Sequence, residues 1–165
     1  MKIEKDISVL IIEKSKENTL IILNEIKSRG YNTNYKIVDT CKSLIESASK
    51  DEWNVILGGY NPYGLKLVSA IKAIRQKNTV VPFIVVSDKI GEENVASLIK
   101  AGANNYIARS NLLNLVPTIR EEIKNSRLKI KQQEAFKKLK ESEKAFKSLV
   151  ENVPDIVYMY RLLYF

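Results

Sequence analysis

The 165-residue sequence contains no histidine. That absence excludes His-based metal sites, Ser-His and Cys-His catalysis, and phosphohistidine chemistry. A single cysteine, Cys41, excludes an internal disulfide and fits a reducing, cytoplasmic setting. It follows Asp39-Thr40, a helix start, and reads as a small packing residue. No apolar run approaches the roughly 20 residues needed to span a bilayer, so no membrane span is expected. The opening residues, MKIEKDISVLII, lack a long apolar stretch followed by a small-residue cleavage site, and no signal peptide is expected.

What is present suits one domain of ordinary size with an appendage: 45% of residues are hydrophobic, enough for a packed core. The net charge is +8. Residues 1–118 hold 16 basic and 12 acidic side chains, and residues 119–165 hold 11 and 7, so the excess is denser in the tail. A basic tail suits nucleic acid or an anionic membrane surface. Here the lysines are interleaved with glutamates and apolar residues, which reads as a solvated helix face, and nucleic-acid binding is not expected.

Along the chain, strand and helix patterns alternate. Ile7–Ile12 is an apolar, β-branched run of the kind that forms a buried strand. Residues 16–29 carry Leu20, Ile21, Leu23 and Ile26 at helical spacing and close on Gly30. Residues 33–38 form a second strand, polar enough for a sheet edge, and 40–50 a short helix with Leu44, Ile45 and Ala48 on one face. Trp53–Leu57 is a third strand, ending at Gly58-Gly59-Tyr60-Asn61-Pro62, and 64–76 a helix. Residues 82–86 are a fourth strand. The helix over 91–101 has Glu92 and Glu93 in its first turn, where they favour the dipole, and Gly102 at its end. Residues 104–108 are a short fifth strand, and Leu112 begins a long last helix. Five β-α units in about 120 residues predict an α/β fold: a doubly wound, five-stranded parallel sheet of order 2-1-3-4-5 with an extended C-terminal helix. Ligands and chemistry in such sheets collect at the carboxyl ends of the central strands.

Three stretches resemble two-component receiver domains over residues 7 to about 124. VLIIEKSKENTLIILNEIKSRGY resembles their first strand and helix, and WNVILGGYNPYGL their third strand and loop. PFIVVSDKIGEENVASLIKAGANNYIARSNLLNLVPTIREE resembles the fourth strand through the last helix. The resemblance implies the flavodoxin-like receiver fold. It also implies an acidic pair after the first strand for Mg²⁺, an aspartate phosphoacceptor after the third, a hydroxyl ending the fourth and a lysine ending the fifth. Metal and lysine would neutralise charge on the transferring phosphoryl group.

The sequence departs from that pattern where the chemistry sits. Glu13 matches one acid, but Lys14 stands at the second and puts a cation where a divalent metal should bind. Gly59, or Gly58 if the loop is shifted by one, replaces the acceptor. Ser87 matches the hydroxyl, and Arg109 replaces the lysine with a bulkier planar cation. Tyr106 matches the aromatic that turns inward on activation in the family. Each residue also has a purely structural reading. Glu13 and Lys14 would form a solvated strand end, Ser87 a turn cap, and Tyr106 a half-buried strand aromatic. Arg109 would bond a carbonyl or Glu13, and Gly58-Gly59 would serve a tight turn. Asp51, Glu52 and Asp88 are nearby in sequence but not where a central strand delivers an acceptor.

From Val116 to Val150 there is no glycine, and the only proline is Pro117. Val116, Ile119, Ile123, Ile130, Phe136, Leu139, Phe146 and Val150 recur at spacings of three, four and seven, with a slip near 130–136. The pattern predicts an amphipathic helix, either pairing as a homodimer through Ile119, Ile123, Ile130, Phe136, Leu139 and Phe146 or folding back on its own domain. ESEKAFKSLVENVPDIVYMYR, residues 141–161, resembles the opening of a PAS sensor domain, whose core needs about 100 residues. The expected organisation is a receiver-like domain at 1–122, an amphipathic linker helix at 123–145 and a truncated PAS opening at 146–165, a piece of a larger receiver–PAS protein.

The expected function is a non-catalytic, cytoplasmic receiver-like module without the acceptor aspartate, relaying signals by contact with other signalling proteins or domains. No cofactor and no metal are expected. Two other readings stand beside it: a working phosphorelay receiver with a different acceptor residue, and a small anion- or nucleotide-binding domain using Gly58-Gly59, Lys14 and Arg109.

Overall fold

The computed structural model describes residues 6–60, 66–77 and 80–152. The elements run β1 (Asp6–Ile12), α1 (Lys16–Ser28), β2 (Asn32–Val38), α2 (Cys41–Lys50), β3 (Val55–Gly58), α3 (Leu67–Gln76), β4 (Phe83–Ser87), α4 (Glu92–Ala101) and β5 (Asn105–Ala108). A 3-10 turn (Arg109–Asn114) then leads into α5 (Leu115–Asn152). The strands form one sheet in the order β2-β1-β3-β4-β5, every pairing parallel, as the alternating pattern predicts. This is the doubly wound, flavodoxin-like receiver fold.

The central strands are buried on both faces, which is why they read as continuous apolar runs. Successive residues of β1 feed opposite layers. Leu10 and Ile12 pack with α2, α3 and α4 through Leu44, Ile71 and Leu98. Ile7, Val9 and Ile11 pack with α1 and α5 through Ile22, Ile26, Leu115, Val116 and Ile119. Each fully buried Leu, Ile or Phe contributes on the order of 1.5–3 kcal/mol. The edge strand β2, by contrast, is exposed along most of its length.

Local chemistry sets the helix ends. The Ser15 side chain accepts from Asn18 N–H, and the Thr40 side chain from Ser43 N–H, capping α1 and α2. Gly30 and Gly102 follow α1 and α4 with φ of 80° and 113°, which only glycine adopts freely.

Three expectations need correction. Trp53 and Asn54 precede β3 instead of opening it. Trp53 Nε1 donates to Ser47 O of α2, and Asn54 Oδ1 accepts from Ser8 N–H, so both serve as anchors at the strand's amino end. Leu112 lies in the 3-10 turn, where Asn111 leaves helical space (φ −126°, ψ 40°), and the α-helix begins at Leu115. Ile119, expected on an outward stripe, is 2% exposed, and Ile123 packs partly on the same core. The first turns of α5 complete the sheet's second layer, so the domain uses these residues. Of the expected helix over 64–76, residues 64 and 65 lie outside the described residues, as do residues 153–161 of the PAS-like stretch.

The chain divides into two compact units between Ser126 and Arg127. In the first, Asn104 Nδ2 donates to Glu122 Oε2 at 3.1 Å and Ser126 Oγ to Val80 O at 2.6 Å, fastening α5 beside β4 and β5. In the second, α5 carries i,i+4 ion pairs Lys137–Glu141 and Lys147–Glu151. Among the described residues no helix is long and apolar enough to cross a membrane.

Candidate functional site

The register brings four strand ends together. Ile12 pairs with Gly58, Gly58 with Val85, and Ser87 with Ala108. The next residues, Glu13, Gly59, Asp88 and Arg109, therefore gather at the carboxyl edge of the sheet, where this fold concentrates its chemistry.

The two glycines face different surroundings. A Cβ built at Gly58 would lie 2.8 Å from Phe83 Cε1 and 2.9 Å from its Cζ, inside the core. Gly58 is thus a packing glycine, whose side-chain space the Phe83 ring fills. A Cβ built at Gly59 would lie 2.9 Å from the Glu13 carboxyl carbon and closer still to its Oε2. Gly59 faces the candidate site, and the Glu13 carboxylate fills its side-chain space. Gly59 N–H is itself committed to Ile12 O at 2.8 Å.

Glu13 is held from three directions. Its Oε1 accepts from Ser15 N–H at 2.9 Å, its Oε2 from Asn18 Nδ2 at 3.3 Å, and Arg109 Nη2 lies 3.8 Å from Oε2. Arg109 also donates through Nη1 to Asp88 Oδ2 at 3.0 Å. The two carboxylates differ: the Glu13 side chain is 11% exposed and Asp88 79%. Arg109 Nε is buried and has no hydrogen-bond partner among the described residues. The arginine thus bridges the ends of β1 and β4 from the end of β5.

The remaining site residues sit around this bridge. Ser87 is buried, and its hydroxyl donates to Tyr60 O at 3.2 Å, tying the loop after β3 to the end of β4. Tyr60 also reaches α4, its hydroxyl donating to Asn94 Oδ1 at 3.2 Å. Tyr106 is half-buried, and its hydroxyl donates to Asp88 O at 3.0 Å. Lys14 is exposed beside Glu13. Of the tail residues, Ile130, Phe136, Leu139 and Phe146 are exposed, while Ile119 and Ile123 belong to the core.

Sequence reasoning passed over Asp88, because the search there was for an acceptor and not for a partner of Arg109. It also missed Asn18 and Tyr60. An acid directly after the fourth strand, in a chain whose fifth strand ends in arginine, was the available signal for Asp88.

No protein-family model and no curated protein matches the sequence. Solved structures do match the fold. The receiver domain of a Francisella response regulator aligns at 20% identity with a TM-score of 0.61, covering 73% of this chain and 98% of that one. A two-component response regulator from Clostridium difficile aligns at 16% identity and 0.62, covering 72% and 96%. The receiver domain of a sensor histidine kinase from Pseudomonas aeruginosa, solved with magnesium coordinated in its active-site cleft, aligns at 21% identity and 0.62, covering 72% and 98%. The chain therefore has a receiver-like fold.

The residues present do not match the donor set that magnesium asks of such a cleft. Mg²⁺ requires oxygen ligands in near-ideal octahedral geometry. At this edge Gly59 offers no side chain, Lys14 is a cation, Glu13 is engaged by Arg109 and two N–H donors, and Asp88 is paired with the same arginine. Among the described residues no group of three or more His, Cys, Asp or Glu could hold a metal ion.

Proposed function

We propose that this chain is a receiver-like signalling module that takes no phosphoryl group and acts by protein contact. The observation that carries the reading is the space beside Gly59, where an acceptor side chain would lie and where the Glu13 carboxylate lies instead. Forming an acyl phosphate needs a carboxylate nucleophile and positive charge concentrated around the transferring phosphoryl group. Here the carboxylate nearest the position is already bonded to Ser15 N–H and Asn18 and sits against Arg109.

In this reading residues 1–122 are the receiver-like domain and 123–145 the linker helix. Residues 146–165 are the opening of a PAS domain, most of which falls outside the described residues. Gly58, Gly59, Glu13, Lys14, Ser87 and Arg109 are the remnant of a phosphorylation site, and Tyr106 the counterpart of the switch aromatic. The module is not an enzyme. It works as a homodimer through α5, passing a conformational bias along that helix to a C-terminal output.

The test is incubation of the full chain with acetyl phosphate and Mg²⁺, read by intact mass. The expected result is an unchanged mass. A stable adduct of about 80 Da, the mass of one phosphoryl group, mapping to Asp88 or another carboxylate of the site would overturn the reading in favour of a working receiver with a different acceptor.

A further inference from the structure

The exposed half of α5 carries a heptad seam distinct from the stripe that completes the domain core. Leu128, Gln132, Ala135, Leu139, Ser142, Phe146 and Leu149 follow one another at spacings of four and three without a break. Strict alternation of this kind is the 3.5-residue repeat of a coiled coil, with Gln132, Leu139 and Phe146 at a and the others at d. Phe146 and Leu149 are 67% and 62% exposed, and Leu128 and Leu139 more than half, so none of the described residues covers the seam. A helix rich in polar residues gains little from propensity alone and takes most of its stability from burying an apolar stripe.

The flanking charges select the partner and its direction. Within the chain the ion pairs Lys137–Glu141 and Lys147–Glu151 lie on the outer face, at b, c and f. Lys138 at g and Glu143 at e form no ion pair among the described residues. In a parallel, in-register pair, g of one helix meets e of the next heptad of the other. Lys138 then meets Glu143 of the second copy, twice by symmetry, and Lys131 lays its stem along Phe136. An antiparallel pair sets g against g and e against e, so Lys138 would lose Glu143 of the other chain as a partner. Polar seam residues point the same way. In register, Gln132 meets Gln132 and Ser142 meets Ser142, so each finds a hydrogen-bonding mate, whereas a parallel pair shifted by one heptad sets Gln132 against Leu139.

We infer that the surface formed by Leu128, Leu139, Phe146 and Leu149 binds the same surface of a second copy of this chain, parallel and in register. This rests on the reading that α5 self-associates and adds its seam, partner and direction. Ile130 falls at f and is no part of the seam, and Phe136 flanks it at e.

The test uses the full chain with Cys41→Ser, carrying either Ser142→Cys at the seam or Lys144→Cys on the outer face. Mass in solution and cross-linking under mild oxidation are read together. The expected result is a two-copy mass, covalent dimer for Ser142→Cys with little for Lys144→Cys, and a one-copy mass for Leu139→Glu. A dimer in which Ser142→Cys does not cross-link, while a mixture of Leu128→Cys and Phe146→Cys chains does, overturns the direction and leaves self-association standing. A dimer that cross-links at none of these positions overturns the seam. A three-copy mass overturns the two-stranded pair, and a one-copy mass for the parent chain overturns both this inference and self-association.

Discussion

Two arginines sit at opposite ends of the same strands, and they are held in different ways. Arg75 closes α3 at the amino end of β4 and β5. It donates from Nε to Gly102 O at 2.9 Å, from Nη1 to Val81 O at 2.8 Å and from Nη2 to Asn104 Oδ1 at 2.8 Å. These acceptors are neutral, and burial pushes its guanidinium below its ordinary pKa. Arg109, at the carboxyl end, faces two carboxylates, one at hydrogen-bond distance and one at 3.8 Å, and leaves its Nε without a partner among the described residues. The first is a structural clamp joining three chain segments through directional bonds. The second is an electrostatic bridge. The contrast teaches that the amino edge of this sheet is built on directional bonds to neutral acceptors, whereas the carboxyl edge gathers charge.

The largest expected effect falls on the clamp. Arg75→Met leaves the Gly102 and Val81 carbonyls without their donor, while Asn104 Oδ1 keeps Phe83 N–H, and it should cost about 3 kcal/mol, at about 1–3 kcal/mol per unsatisfied group less partial rehydration. The melting temperature should fall by about 10 °C for a domain of this size. Arg109→Met, measured beside it, should cost clearly less. Equal losses would erase the distinction between clamp and bridge.

Next comes Gly59→Asp. The new Cβ meets the Glu13 carboxylate, so overpacking and like charge should destabilise the fold by about 1–3 kcal/mol. Removing the obstacle should rescue it: Gly59→Asp with Glu13→Ala should show a coupling of at least about 1 kcal/mol in urea unfolding. Additive effects would mean that Glu13 does not fill the acceptor position. In neither variant should Mg²⁺ raise the melting temperature, because Lys14 remains beside the site. Trp53 cannot report on such binding, since it lies at the opposite end of β3, anchored to Ser47 O.

The smallest effect belongs to Asp88→Asn. Its partner contact is at the surface, so the loss should be about 0–1 kcal/mol and should shrink in high salt. A large, salt-independent loss would show that the bridge is as structural as the clamp.

The order of the elements was legible because the central strands are short apolar runs and several helices carry a recognisable end signal. Thr40 opens α2, and Gly30 and Gly102 follow α1 and α4. The polar composition of 33–38 placed β2 at the edge. What failed were positions where side-chain bonds decide. Asn54 occupies a ladder donor with its own side chain, which delays β3, and Asn111 breaks the last helix before Leu115. Arg75 gave no warning, because an arginine in the last turn of a helix looks like an ordinary dipole-favouring charge.

The sequence by itself determined the parallel α/β architecture and the absence of a side chain at 58 and 59, because hydrophobic periodicity and residue identity are local properties. Only the tertiary structure decided which glycine faces the site. Consecutive residues at a strand end point to opposite sides, and the neighbours that fill the two spaces, Phe83 and Glu13, come from different strands. It likewise decided that Ile119 belongs to the core and Leu139 to the surface. Apolar residues recur at helical spacing along all of α5, and only packing against α1 and the sheet shows where burial stops.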